Sequence, residues 1–275
     1  MAETLTKTAV IGSPINHSLS PKIHNHWIKK NKIKTGIYQK IKVDVLKLKE
    51  KIYDLMNDNF LGLNVTIPLK ESAYNICEDL SETSKKLKAV NTLTFKKGKI
   101  IGNNTDPKGF INSIDDKIKN TNIIKKNVLV VGAGGSARSI VYALHSMHAK
   151  IIISNRTFNK IEALSDDLEV NLKTHKFKQI QDLVPNLDMI INTSSLGMSG
   201  NENLNLNLKE AKKNLYVYDL VYKPSQTNLL KEAEINNLNY QNGLAMLVYQ
   251  AAESFRIWHG VYPEITNELF EILKR

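Results

Sequence analysis

The spacing of apolar residues changes along this chain. Up to about residue 106, short apolar or alternating runs, TAVIGS (8–13), GIYQKIKV (36–43), LGLNVTI (61–67) and NTLTF (91–95), alternate with stretches around 21–30, 45–57 and 71–78. A two-residue period predicts half-buried strands and a three-to-four-residue period predicts amphipathic helices, so this segment reads as one α/β unit in which NVTIPLK (64–70) is a short buried strand ending on Lys70. From Asn127 onward the order becomes strand, glycine turn, helix, strand: NVLVV, GAGGSAR, a stretch with Ile140, Ala143, Leu144 and Met147 on one face, then KIIIS. Continuous apolar runs recur at 188–192 (DMIIN) and 215–222 (LYVYDLVY), as expected of parallel strands covered on both faces by helices. A final stretch, GLAMLVYQAAESFRIWHG, carries Leu247, Ala251, Phe255 and Trp258 at helical spacing; its apolar face needs a partner and is expected to pack back on the first unit.

Length and composition agree with this segmentation. A chain of 275 residues suits two modest domains, and 42% hydrophobic residues suffice for a sizeable core. The start shows no basic region followed by a long apolar one, and no run approaches the ~20 apolar residues of a membrane span; a cytoplasmic protein without a membrane partner is expected. Cys77 is the single cysteine, which excludes an intramolecular disulfide and a thiolate metal site. The formal charge of +11 comes from scattered lysines such as Lys29 and Lys30, Lys85 and Lys86, Lys125 and Lys126. No nucleic-acid-binding signature accompanies them, so small anionic ligands remain and nucleic acid is set aside.

Candidate chemistry concentrates at a few places. Gly132, Ala133, Gly134, Gly135, Ser136 and Ala137 lie between a buried strand and a helix, where backbone amides can approach a pyrophosphate at the positive helix end. The next strand ends in SNRT without the acid that an NAD enzyme places there; Arg156 instead offers a planar fork for a phosphate, with Asn155, Thr157 and Lys160 beside it, which favours NADP. In HSLSP, Ser20 precedes Pro21 as an N-cap would, and Ser18 can join it in holding a ligand carboxylate. His24 and His26 face different sides of that helix and read as packing or surface residues, not a metal pair. Asp106 precedes Pro107 and taken alone could be an N-cap.

HSLSP, NVTIPLK, AVNT, GNNTD, GAGGSAR, NRT, DLVYKPSQT and MLVYQAAESF, in this order between residues 17 and 255, resemble shikimate dehydrogenases. The resemblance implies two α/β domains: a substrate domain over 1–106, completed by C-terminal helices in 243–275, and a Rossmann-like NADP-binding domain over 107–242. It implies reversible reduction of 3-dehydroshikimate to shikimate with NADPH, in aromatic amino acid biosynthesis, by a monomer or homodimer without a metal. Carried over by position, Lys70 and Asp106 become the catalytic pair. Ser18, Ser20 and Tyr222 would contact the substrate carboxylate, while Thr66, Asn91 and Gln250 line the hydroxyl side. The glycine loop, Asn155 to Lys160, Leu220, Gly243 and, more weakly, Glu82 and Met246 would face the cofactor. The chain departs from the family pattern at Lys88 (KAVNT for GAVNT), Pro107 (NTDP for NTDG) and in NTSS at 192–195 (for NATS).

The chemistry suits the pair: oxidising a secondary alcohol requires a group within hydrogen-bond reach of its hydroxyl proton. Free lysine is a poor base at neutral pH; burial would favour proton release and Asp106 would oppose it, so the two read as a coupled site. Three other readings share parts of the pattern. A quinate/shikimate dehydrogenase would accept a saturated ring and often NAD, a methylene-tetrahydrofolate dehydrogenase has no use for HSLSP, and a non-catalytic NADP sensor would not need the pair.

Overall fold

The computed structural model describes residues 6–33, 36–114 and 123–274; the remaining parts of the two predicted domains, including the first five residues of the chain, lie outside the described residues. Two compact units result, one of Met1–Gly109 with Leu247–Arg275 and one of Phe110–Met246.

In the first unit the order is β1 (Thr6–Gly12), α1 (Ser20–Lys30), β2 (Gly36–Lys42), α2 (Leu48–Asn57), β3 (Phe60–Val65), α3 (Lys70–Tyr74), β4 (Asp79–Leu80), α4 (Glu82–Leu87), β5 (Thr92–Lys96) and β6 (Lys99–Asn103). These strands form a mixed sheet in the order β2-β1-β3-β5-β6-β4, with β2 and β3 parallel to β1 and β5 antiparallel to both β3 and β6. Ala9, Ile11, Leu63, Val65 and Leu93 from the sheet meet Leu48 and Ile52 of α2 in one buried cluster. The predicted run NVTIPLK is not one strand: β3 stops at Val65, because Pro68 has no amide hydrogen for the ladder. The chain turns through a Leu69 N–H to Thr66 O bond of 2.9 Å, and Lys70 opens α3 instead of ending a strand.

The second unit begins within α5 (Asp106–Ser113) and continues with β7 (Asn127–Val131), α6 (Gly135–Ser146), β8 (Lys150–Ser154), α7 (Asn159–Leu168), β9 (Lys173–Thr174), β10 (Met189–Asn192), β11 (Tyr216–Asp219), α8 (Asn228–Ile235) and β12 (Asn239–Asn242). All six strands are parallel, in the order β12-β11-β10-β7-β8-β9, the doubly wound arrangement in which chain direction across the sheet reverses between β7 and β10. Ile140, Ala143 and Leu144 of α6 are buried as the helical spacing predicts, whereas Met147 is the partly exposed C-cap.

α9 (Leu244–His259) and α10 (Asn267–Lys274) follow, and from Leu247 onward the chain belongs to the first unit. Ala251, Phe255 and Trp258 of α9 are buried as expected, with Val248 buried beside them and Leu247 only half-buried; each large buried side chain contributes about 1.5–3 kcal/mol, and Trp258 Nε1 donates to Leu93 O at 3.0 Å. The expected packing of this helix on the first unit is therefore present.

His24 is a packing residue, not a surface one. It is fully buried, its ring stacks on Tyr38 at 4.1 Å, and Trp27, Phe255 and Trp258 surround it; among the described residues neither ring nitrogen has a hydrogen-bond partner. Burial, reinforced by His259, lowers its pKa from 6.5 to about 3. A lowered folded-state value means that the unfolded chain takes up the proton first, so native stability falls as pH drops below about 6.5, by about 1.4 kcal/mol per pH unit for this one proton. Phenylalanine fits the same stack without polar atoms. We expect His24→Phe to be at least as stable as wild type at neutral pH and to lose less stability between pH 6.5 and 5, by about 1.4 kcal/mol per unit, in urea titrations at each pH; parallel pH dependences for the two proteins would refute this.

Candidate functional site

The ends of several elements in the first unit converge on Asp106. Lys70 Nζ lies 2.5 Å from Asp106 Oδ2, with the side chains 18% and 8% exposed. Asn91 Nδ2 donates to Asp106 Oδ1 at 2.7 Å and to Thr105 Oγ1 at 3.0 Å, and Gln250 Oε1 is 3.4 Å from the same nitrogen. Asn91 is held in turn: its Oδ1 accepts from Thr105 N at 2.9 Å and from Thr92 Oγ1 at 2.8 Å. Asp106 is not occupied as a cap. Asn104 Oδ1 accepts the Asp106 N–H at 3.1 Å, which leaves the carboxylate free for Lys70. An ammonium and a carboxylate in contact, with the other carboxylate oxygen fixed by an amide, can hold a mobile proton beside a polar ligand atom.

Behind the pair is a buried layer that the sequence reading did not single out. Asn64 Nδ2 donates to Ser254 Oγ at 2.9 Å and Thr92 Oγ1 at 3.2 Å, while its Oδ1 accepts from Tyr38 Oη at 2.8 Å. Thr105 Oγ1 donates to Gln250 O at 3.0 Å, tying α9 to the pair. The available signal was a polar residue inside an apolar strand, Asn64 in NVTIPLK, because a buried amide demands partners.

The other predicted substrate residues fall as follows. Thr66 follows β3, and its N–H donates to Ile11 O at 2.9 Å. Ser20 is not the N-cap that HSLSP suggested: α1 starts at Ser20 itself, and Ser18 Oγ accepts the Ser20 N–H at 3.3 Å. Proline at the second helical residue lacks an N–H to be capped, so the hydroxyl two residues before Ser20 takes the exposed amide. Tyr222 belongs to the second unit, just beyond β11, with its phenol pushed up by burial. Lys88 takes the left-handed conformation, φ 47°, at the end of α4, the position that glycine fills in the family pattern; the Asn91 contacts are intact beside it.

In the second unit, parallel β7, β8 and β10 bring three loops to one edge of the sheet. Gly132 N donates to Ser154 O at 2.8 Å and Thr193 N to Val131 O at 2.8 Å. Gly132 has φ +110°, and a Cβ there would lie 2.7 Å from Thr193 Oγ1, so only glycine fits. α6 opens at Gly135 with Gly134 as its N-cap, without a side-chain cap or an acid in the first turn. A Cβ on Gly134 or Gly135 would meet nothing within 4 Å, which leaves bare backbone amides at a positive helix end. That set fits a dinucleotide pyrophosphate. At the end of β8, Asn155 Nδ2 donates to Thr157 O at 2.8 Å, and exposed Arg156 reaches Glu202 Oε2 at 3.2 Å from NH1; Lys160 is exposed at the start of α7.

Beyond β11, Gly243 lies against Leu220, where a Cβ would come within 2.0 Å of the Leu220 carbonyl oxygen. Met246 is buried and its backbone bonds Tyr218. Glu82 is in the first unit, paired with Lys85 at 2.7 Å on the surface. A buried carboxylate that the sequence reading passed over fixes these loops: Asp219 accepts from Asn192 Nδ2 at 2.9 Å, Val221 N at 3.0 Å and Thr227 Oγ1 at 2.6 Å. Burial pushes its carboxyl up to about 6 against these bonds. Asn192 Oδ1 accepts from Ser194 N and Oγ, so the NTSS departure keeps its loop anchored. Among the described residues no group of three or more His, Cys, Asp or Glu could hold a metal ion, and no helix is long and apolar enough to cross a membrane.

Residues 10–93 match the family described as the shikimate dehydrogenase substrate binding domain, residues 115–238 shikimate / quinate 5-dehydrogenase, and residues 243–266 the shikimate 5'-dehydrogenase C-terminal domain. A shikimate dehydrogenase (NADP(+)) of Pelagibacter ubique is 38% identical over 269 residues, 96% of this chain and 97% of that protein. The crystal structure of shikimate dehydrogenase from Aquifex aeolicus superposes with a TM-score of 0.88 at 31% identity, covering 98% of this chain and 97% of the other. Shikimate 5-dehydrogenase from Thermus thermophilus, solved in complex with NADP(H) and shikimate, gives 0.86 at 29% identity over 98% and 99% of the two chains. With three consecutive family matches and this identity along nearly its whole length, the chain belongs to the shikimate dehydrogenase family.

Proposed function

We propose that this chain catalyses the reversible, NADP-dependent reduction of 3-dehydroshikimate to shikimate, the step its relatives' names describe, in aromatic amino acid biosynthesis. The observation that carries the reading is the contact between Lys70 and Asp106 inside the Asn91 and Thr105 network. NADPH supplies the hydride for the ketone carbon, and the chain's own residues handle the proton. Lys70 Nζ donates to the ketone oxygen as it becomes an alkoxide; Asp106 orients the ammonium and, in the reverse direction, stabilises the charge that returns to it. Asn91 holds Asp106 by one oxygen, so the other stays directed at Lys70.

Ser18 and Ser20 at the start of α1, with Tyr222, take the substrate carboxylate, the helix end adding favourable charge. Thr66, Asn91 and Gln250 take ring hydroxyls. On the cofactor, the amides of Gly132 to Ala137 receive the pyrophosphate, Arg156 with Asn155, Thr157 and Lys160 receives the 2'-phosphate, and Leu220, Gly243 and Met246 bound the nicotinamide side, with Glu82 a lesser contact. We also place the chain in the cytoplasm, acting as a monomer or homodimer; a single cysteine, Cys77, whose thiol burial pushes up to about 12, suits a compartment where disulfides do not form.

Purified protein mixed with shikimate or quinate, and with NADP or NAD, should produce the near-ultraviolet absorbance of reduced nicotinamide fastest with shikimate and NADP; no reduction with any pair would refute the enzymatic reading. Lys70→Ala should lower kcat roughly 10²- to 10⁴-fold, the range for a removed general acid or base, with a much smaller change in shikimate KM. Wild-type kcat in a folded Lys70→Ala protein would remove Lys70 from the chemistry. Arg156→Ala should raise the NADPH Kd about 10- to 100-fold, as for a lost charged hydrogen bond, and leave NADH nearly unchanged; equal losses would contradict the phosphate clamp.

A further inference from the structure

Arg156 is already engaged by a carboxylate. Its NH1 lies 3.2 Å from Glu202 Oε2, with the two side chains 62% and 79% exposed. Arg156 follows β8 and Glu202 follows β10, the strands that flank β7 on either side, so the pair joins the loops on both sides of the glycine turn. Backbone bonds place Glu202: Gly197 N donates to Glu202 O at 2.7 Å, Asn201 N donates to Met198 O at 2.9 Å, and Leu204 two residues on is buried. The loop is fixed while the carboxylate stays at the surface, held out toward the guanidinium. A dinucleotide with a 2'-hydroxyl does not need Arg156 and leaves the pair intact. One with a 2'-phosphate brings about −1.5 to −2 charges to the same guanidinium, must displace the carboxylate, and is repelled by it.

We infer that Glu202 is a specificity-determining residue: its carboxylate competes with the cofactor 2'-phosphate for Arg156 and limits the preference for NADP over NAD. This rests on the reading of Arg156 as the phosphate clamp. An exposed ion pair is weak and screened by salt, so the competition tunes the preference and does not abolish NADP binding. Neutralising Glu202 removes both the competitor and the repulsion, which together amount to roughly three- to tenfold in affinity at low ionic strength.

The test is titration calorimetry of the full chain with NADP+, NAD+, and adenosine 2',5'-bisphosphate against adenosine 5'-monophosphate, for wild type, Glu202→Gln, Glu202→Ala and Arg156→Ala. Both Glu202 variants should bind NADP+ and the bisphosphate roughly three- to tenfold tighter and NAD+ and the monophosphate within about twofold of wild type, and the gain should shrink in high salt. NADP+ affinity unchanged in both Glu202 variants, with selective NADP+ loss in Arg156→Ala, overturns the competition and leaves the phosphate clamp standing. Equal tightening of NADP+ and NAD+ overturns it as a general charge effect. Equal weakening of both cofactors by Arg156→Ala removes the clamp and the competition with it.

Discussion

A carboxylate taken out of water must have its charge answered, and in the first unit that demand organises the ends of separate elements. An uncompensated buried ion costs several kcal/mol even after relaxation, and removing one partner of a buried pair typically costs about 3–5 kcal/mol. Asp106, 6% exposed, meets the demand with Lys70 from α3 and the side-chain amide of Asn91. Neither partner is near it in sequence, at separations of 36 and 15 residues. Their convergence requires Pro68 to stop β3, Asn91 to stand just before β5, and α9 to come back from the far end of the chain so that Gln250 O can receive Thr105. The network that satisfies the charge therefore also fixes the groups that can move a proton at that spot, and stability and chemistry draw on the same contacts.

The second unit solves a different problem with the same kind of group. A wholly parallel sheet leaves its loops at one edge, and where its direction reverses between β7 and β10 the loops part. Bare amides of the glycine turn fill one side of the opening; on the other, Asp219 gathers Asn192, Val221 and Thr227 and so ties the loops after β10 and β11 to each other. Its three hydrogen bonds favour the ionised form while burial opposes it, and burial is the larger effect. A neutral, isosteric amide could not accept all three, which is a physical reason for a carboxylate in a place where it never meets water.

What could be read from the residues was what depends on near neighbours. Four apolar strands of the second unit, the glycine turn and the helix after it follow from runs and spacing within about fifteen residues, and they stand where expected. NVTIPLK misled by its apolar alternation, since Pro68 outweighs Ile67 and Leu69 in deciding where a ladder ends. Ser20 misled for a similar reason: a cap is a matter of which amide is left open, and Ser18 reaches it. Asn64, Asp219 and Glu202 were passed over because their partners lie far off in sequence. Asn64 meets Ser254 across 190 residues and Arg156 meets Glu202 across 46, distances at which a single chain gives no pairing signal.

The contrast between these two kinds of charge pair has a functional logic. Lys70 and Asp106 are 18% and 8% exposed and in direct contact, a geometry held before any ligand arrives, which is what proton transfer needs if reorganisation is not to add to the barrier at the moment of reaction. Arg156 and Glu202 are mostly in solvent and meet through a longer contact, a geometry that opens at little cost. A redox cofactor must leave after every turnover; if Arg156 is the phosphate clamp proposed above, an exposed guanidinium with a resident carboxylate would give the phosphate something to displace on entry and something to replace it on departure. Exchange favours weak, wet pairs and proton transfer favours a strong, dry one, so on the proposed reading the same two charge types would serve opposite kinetic ends according to how far each has been taken out of water.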